Sequence, residues 1–124
     1  MELIAIRNLA ARWVEVRGKF SDAWEALDLL CRENPVAAFR AIEEINYVLV
    51  SSERRDMEAW GLLAAGPLED LLAENGESVI EAAEALAKTD PEFRKLLSGV
   101  WQNSMSDEIY ARVQKASDPT YRFT

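Results

Sequence analysis

The sequence predicts an all-α fold of seven to eight short helices in antiparallel pairs, stacked solenoid-like (HEAT-like) or closed into a compact bundle. Three observations predict it. Apolar residues recur at helical spacing in nearly every segment. No stretch of four or more residues alternates strictly with β-branched residues between turn signals. Finally, Asn34-Pro35, Gly66-Pro67, Asn75-Gly76 and Asp90-Pro91 punctuate the chain with pairs that start or stop helices.

The first helix, about 2 to 18, carries Ile6, Leu9, Ala10, Trp13, Val14 and Val16 on one stripe, and Gly18 closes it. Ser21 caps the second, where Trp24, Leu27, Leu30 and Cys31 face inward and which ends at Glu33. Asn34 then caps a third helix that Pro35 opens, since Pro at the first helical position lacks only a donor that has no partner there. Its inner stripe is Phe39, Ile42, Ile45 and Leu49, with Ser51-Ser52 as its exit. A fourth short helix spans about 54 to 64, and Gly66-Pro67 breaks it. A fifth, about 67 to 74, ends at Asn75-Gly76, and a sixth, about 77 to 88, buries Val79, Ile80, Ala83, Leu86 and Ala87. Asp90-Pro91 launches a seventh with Phe93, Leu96, Leu97, Val100 and Trp101. After a polar loop the eighth runs from about Asp107 to Lys115, Ser104 and Asp107 offering a capping-box spacing. The short connections favour stacked pairs, with residues 1–117 as one helical domain and 118–124 as an irregular tail.

The chain has 124 residues, 49% of them apolar and 29% charged, so it is expected to bury a core as a single domain. Its 14 basic residues against 22 acidic ones give a net charge of -8, and without a basic patch nucleic acid is not an expected partner. There is no His, which removes the residue most used for neutral-pH proton transfer, hydrolytic triads and zinc ligation. The lone Cys31 reads as a buried structural thiol, and a reducing cytoplasm is the expected setting. No signal peptide and no membrane span are expected, because no run of about 18 apolar residues exists.

The charge is unevenly distributed. Asp56, Glu58, Glu69, Asp70, Glu74, Glu77, Glu81 and Glu84 fall in a segment to Ala87 that has no Lys or Arg, while the rest of the chain holds 14 acids and 14 bases. Glu77, Glu81 and Glu84 share one helix face by their i, i+4, i+7 spacing, and only Glu84 has a natural partner, Lys88. Such a run ordinarily forms a solvated face; the sharper reading is an acidic docking surface that steers a basic partner. A metal site is not indicated, since no EF-hand spacing occurs. Adjacent carboxylates such as Glu43-Glu44 and Glu69-Asp70 point about 100° apart on a helix and cannot flank one bond. No serine sits in a nucleophile elbow and no Gly-rich phosphate loop occurs, so no catalytic residue and no cofactor is expected. Trp13, Trp24 and Trp60 lie in apolar stripes as core residues. Trp101, beside Asn103 and Met105, either packs on the eighth helix or anchors a contact.

On two blocks, Ala64-Ala65-Gly66-Pro67-Leu68-Glu69-Asp70-Leu71-Leu72 and Phe93 through Glu108, the chain resembles an uncharacterised family of small bacterial helical proteins, over about residues 60 to 114. The resemblance implies no activity and transfers no catalytic residue; an immunity-like or antitoxin-like role is analogy.

The expected function is therefore a non-enzymatic interaction domain. Its partner-binding residues would be Glu69, Asp70, Glu74, Glu77, Glu81, Glu84, Trp101, Asn103 and Met105, and its partner a basic protein, in concrete form a toxin that it inhibits. The alternatives are a small-molecule or enzymatic pocket near Trp60, Trp101, Asn103 and Tyr110, and a self-assembling subunit in which Arg7, Arg12, Arg17 and Lys19 complement the acidic segment.

Overall fold

A computed structural model describes residues 1–123; Thr124, the last residue of the expected tail, lies outside the described residues. The chain forms α1 (Leu3–Glu15), α2 (Asp22–Glu33), α3 (Pro35–Ser51), α4 (Met57–Leu63), a π-helical segment (Ala64–Leu68), α5 (Glu69–Thr89), α6 (Pro91–Leu97) and α7 (Asp107–Ala116). Among the described residues there is no strand, and the protein is all-α. Among the described residues no helix is long and apolar enough to cross a membrane.

The capping chemistry is where the sequence places it at three starts. Ser21 Oγ accepts from Trp24 N, Asn34 Oδ1 from Ala37 N, and Asp90 Oδ1 from both Glu92 N and Phe93 N. Each such cap contributes about 1 kcal/mol to its helix. Two caps fall elsewhere than expected. Asp56 caps α4 through Ala59 N, so that helix starts at Met57, and Ser106 rather than Ser104 caps α7 through Ile109 N. α1 closes as expected: Arg17 and Gly18 take positive φ of 56° and 69°, and a Cβ on Gly18 would lie 2.7 Å from the Trp13 ring.

α3 is the hub. It packs against α1, α2, α4, α5 and α6, so the arrangement is a bundle around a central helix. The stacked-pair alternative fails on this point, because repeats in a solenoid touch only their neighbours. α3 can serve several neighbours because Ala37, Ala38 and Ala41 let helices approach closely while Phe39, Ile42, Ile45 and Leu49 fill the space between them. Phe39 meets Phe93 of α6 edge to face, with ring centroids 5.8 Å apart.

The expected break at Gly66-Pro67 does not occur. Pro67 has no N–H to give and its ring crowds the carbonyl four residues back, and the chain answers by widening to a π-helical turn over Ala64–Leu68 that stays helical on both sides. Asn75-Gly76 likewise kinks α5 without ending it. Asn75 leaves helical geometry (φ -139°, ψ 37°) and its Nδ2 donates to Cys31 O at 2.7 Å and Arg32 O at 3.2 Å, satisfying carbonyls in the last turn of α2. Gly76 next to it lets α7 come close: a Cβ there would sit 2.9 Å from Ile109 Cγ2.

Trp13, Trp60 and Phe93 are fully buried, whereas Trp24 is only partly so. Trp60 Nε1 donates to Asn46 Oδ1 at 2.7 Å, joining two buried polar groups in the core. Residues 118–123 form no helix, yet Tyr121 and Phe123 pack on Trp60 with centroids at 5.7 and 4.9 Å, and Arg55 lies 4.5 Å over the same indole. Cys31 is buried with its Sγ 3.5 Å from Pro67 O, and desolvation pushes the thiol pKa up to about 12, which makes it inert.

Candidate partner-binding face

α5 supplies the acidic side chains and the 98–106 loop supplies the aromatic one. α6 ends at Leu97, four residues sooner than the apolar pattern suggests, because Ser98 and Gly99 close it with turn hydrogen bonds to Lys95 and Leu96 carbonyls. Trp101 is thereby left outside any helix and 74% exposed. Packing on α7, the other role expected of Trp101, is not what the structure shows.

Glu69, at the start of α5, ties this loop down. Its Oε1 accepts from Trp101 N at 2.9 Å and its Oε2 from Asn103 Nδ2 at 3.2 Å. Asn103 sits at φ 50°, a left-handed conformation that Asn tolerates better than most residues, and this turns its amide toward the carboxylate. Glu69, Trp101 and Asn103 therefore form one unit, as the spacing of the candidate residues did not reveal. Met105 does not join them. It is 5% exposed and belongs to the core, while its carbonyl accepts from Gln102 Nε2; a buried thioether cannot contact a partner.

Asp70 and Glu74 continue from Glu69. Burial raises the Asp70 pKa most, and the neighbouring carboxylates Asp28, Glu69 and Glu74 raise it further, so α2 adds a fourth acid to this end of the face. Glu74, Glu77 and Glu81 are exposed and form no ion pair among the described residues. Glu84 is different. Arg112 of α7 donates to both of its oxygens, Nε at 2.9 Å and Nη2 at 2.5 Å, and holds its pKa down. The expected Glu84–Lys88 pair is absent among the described residues, since the guanidinium fork matches a carboxylate with two bonds where an ammonium offers one point charge.

The acidic segment is thus shorter in space than in sequence. Arg17 neutralises Asp56, the side-chain hydrogen bond holding that carboxyl down at about 2, and Lys19 pairs with Glu58 at 3.0 Å. What remains unpaired is a strip from Asp70 through Glu74 and Glu77 to Glu81, with Glu69 and Trp101 at its head. Arg7 and Arg12, with Arg17 and Lys19 the cations that self-assembly was expected to use, pair with Glu44 and Glu15. Beside Trp101 lies an open groove of about 370 Å³ lined by Gly61, Ala65, Gly99, Tyr110, Arg122 and Phe123, among others. Trp60 does not reach it, being covered by the tail. Among the described residues no three Cys, Asp or Glu side chains gather as a metal ion requires.

The model of a family described as "Family of unknown function (DUF6869)" matches residues 14–120, most of the chain. The chain belongs to that family. The match extends well to the N-terminal side of the two blocks on which the resemblance rests, taking in the last two residues of α1 and all of α2 and α3. Comparison with curated proteins and with solved structures found no match. Membership in DUF6869 carries no activity with it, so the geometry of the face carries the functional argument.

Proposed function

We propose that this chain is a non-enzymatic bacterial interaction domain whose acidic α5 strip, headed by Trp101, receives a basic protein. The observation that carries the reading is the Glu69 unit: one carboxylate holds the backbone of a 74% exposed Trp at the end of a strip of unpaired acids. A fixed aromatic anchor beside a one-signed field is the combination that gives an interface both its affinity and its steering. In its concrete form the partner is a toxin whose basic surface this face covers, and a single Cys, which allows no internal disulfide, fits work in a reducing cytoplasm.

Photo-crosslinkers placed singly at Glu77 and Trp101, with Glu15 on the far helix as control, test this in the source cell. The reading expects crosslinks to one basic protein from the first two positions only, and affinity of the purified pair that falls steeply with salt and with Glu77→Lys plus Glu81→Lys. Crosslinks that are equal from Glu15, or affinity indifferent to salt, would overturn it. The groove beside Trp101 favours a second reading, a small-molecule site floored by Gly61 and Gly99, which predicts a compound that raises the melting temperature and loses its effect in Trp101→Ala.

A further inference from the structure

At the opposite end of α5 the cations gather. Lys88 from the last turn of α5, Arg94 from α6, and Arg112 and Lys115 from α7 line a groove of about 360 Å³, with Ala87 and Ala116 as its apolar surfaces and Glu84 as the acid among its lining residues. We infer that this groove binds the phosphate groups of a small soluble ligand that carries a diphosphate or longer phosphate chain.

The first argument is from scarcity. Of the 14 cations, nine have a carboxylate within ion-pair distance. Among the described residues Arg54, Lys88, Arg94, Lys115 and Arg122 have none, and three of these five line this one groove. In an acidic chain, leaving three cations without partners around a common space costs mutual repulsion that a multiply charged anion removes. The second argument is from preorganisation. Glu84 engages two of the five N–H donors of Arg112, which fixes the guanidinium in place and leaves three donors for a ligand. With four cations and one carboxylate the lining has a net charge of +3, a match for a polyphosphate and an excess for a single monovalent group. The volume falls within the range of about 300–1,000 Å³ usual for small-molecule sites.

Lys88, Arg94 and Lys115 each lie in the last turn of a helix, where a cation also offsets the negative end of the macrodipole. That role asks for a cation on each helix but not for three helices to end around the same groove. Asp118, on the chain after α7, stays ionised and feels the Arg94 charge, its Oδ1 accepting from Thr120 N and Oγ1, but it lies beyond ion-pair distance of Arg94 and outside the groove lining.

Titration of the purified chain with inorganic pyrophosphate, in magnesium-free buffer of low ionic strength and followed by calorimetry and by amide chemical shifts, tests the inference. Saturable binding is expected, with shifts centred on residues 87–94 and 112–118. Lys88→Gln combined with Lys115→Gln should weaken it by at least about tenfold, from the strength of charge-assisted hydrogen bonds. Neither lysine makes an ion pair among the described residues, so the fold should persist, with thermal unfolding as the check. Arg54→Gln, which removes an unpaired cation elsewhere, should leave the affinity unchanged. The inference is overturned by a titration that does not saturate, or by an equal loss in Arg54→Gln, which would mark diffuse charge attraction. It is overturned too if the chain sediments with phosphatidate vesicles without responding to pyrophosphate, since the phosphate would then be a lipid headgroup.

Discussion

Glu69→Ala should loosen the 98–106 loop while the helical core stays folded. The carboxylate accepts from Trp101 N at 2.9 Å and Asn103 Nδ2 at 3.2 Å. A hydrogen bond to a charged group contributes about 1.5–3 kcal/mol where water is excluded. Here Glu69 is half-buried and the Trp101 and Asn103 donors lie at the surface, so water replaces part of each bond and the pair together is reduced to about 1–1.5 kcal/mol. That corresponds to roughly tenfold faster hydrogen exchange at the Trp101 amide, since local opening is what exchange reports. Amide exchange followed by two-dimensional NMR reads it residue by residue. Val100 and Met105, buried on either side, should keep their protection, because the core and not Glu69 holds them. Glu69→Gln retains an acceptor for Trp101 but turns an NH2 group toward one of its neighbours, and should show about half the effect. Glu77→Gln removes the same charge from the same face without touching the loop, so Trp101 exchange should be unchanged. If Glu69→Ala leaves Trp101 exchange at the wild-type rate, burial of Val100 and Met105 alone positions the loop and the anchor argument fails.

Three further outcomes are expected. Asp56 titrates at about 2 when folded, below its ordinary 3.8, chiefly through its hydrogen bond from Arg17, so its stabilisation is complete above the ordinary value and is lost as pH falls from about 4 through 2. The pair is about a quarter to half exposed, so solvent screens much of its contribution; urea midpoints of wild type and Arg17→Gln should still differ at pH 6 and converge near pH 2, and a gap constant with pH would refute this. Asn46→Leu leaves Trp60 Nε1–H without its 2.7 Å partner in the core and should cost about 1–3 kcal/mol, with Trp60→Phe costing less in the Asn46→Leu background than in wild type; strict additivity in that cycle would count against the bond. Gly18→Ala meets both a φ of 69° and a Trp13 ring 2.7 Å away and should cost more than about 1 kcal/mol, whereas Gly61→Ala, whose nearest neighbour would be 3.6 Å off, should be close to neutral in the same denaturation assay.

Helix identity was legible in the sequence because it rests on local chemistry. Asn34-Pro35 and Asp90-Pro91 start helices whatever surrounds them, and each of these caps forms as the residues imply. Pro67 and Asn75 were misleading for the opposite reason, their effects being decided by neighbours remote in sequence. Pro67 stays in a helix because Ala64–Leu68 widens while α2, α3 and α6 pack against it, and Asn75 leaves helical geometry to serve carbonyls that α2 exposes more than forty residues earlier. The candidate face divides along the same line. That Glu74, Glu77 and Glu81 are exposed on one helix follows from spacing alone. The grip of Glu69 on Trp101 and the capture of Glu84 by Arg112 are contacts across 32 and 28 residues, and the burial of Met105 depends on the assembled core, none of which periodicity encodes.

Glu84 shows what that difference does to function. By spacing it is the last acid of the strip, and by structure it is the carboxylate that positions Arg112 in the basic groove. The acidic face therefore ends at Glu81, about two helical turns before Lys88, and α5 carries acid toward its N-terminal end and base at its C-terminal end, the order its own dipole favours. A single helix separates two surfaces of opposite sign, and Glu84→Gln should act on the basic one: it frees Arg112, weakens its orientation, and leaves steering of a basic partner at Glu74, Glu77 and Glu81 nearly intact.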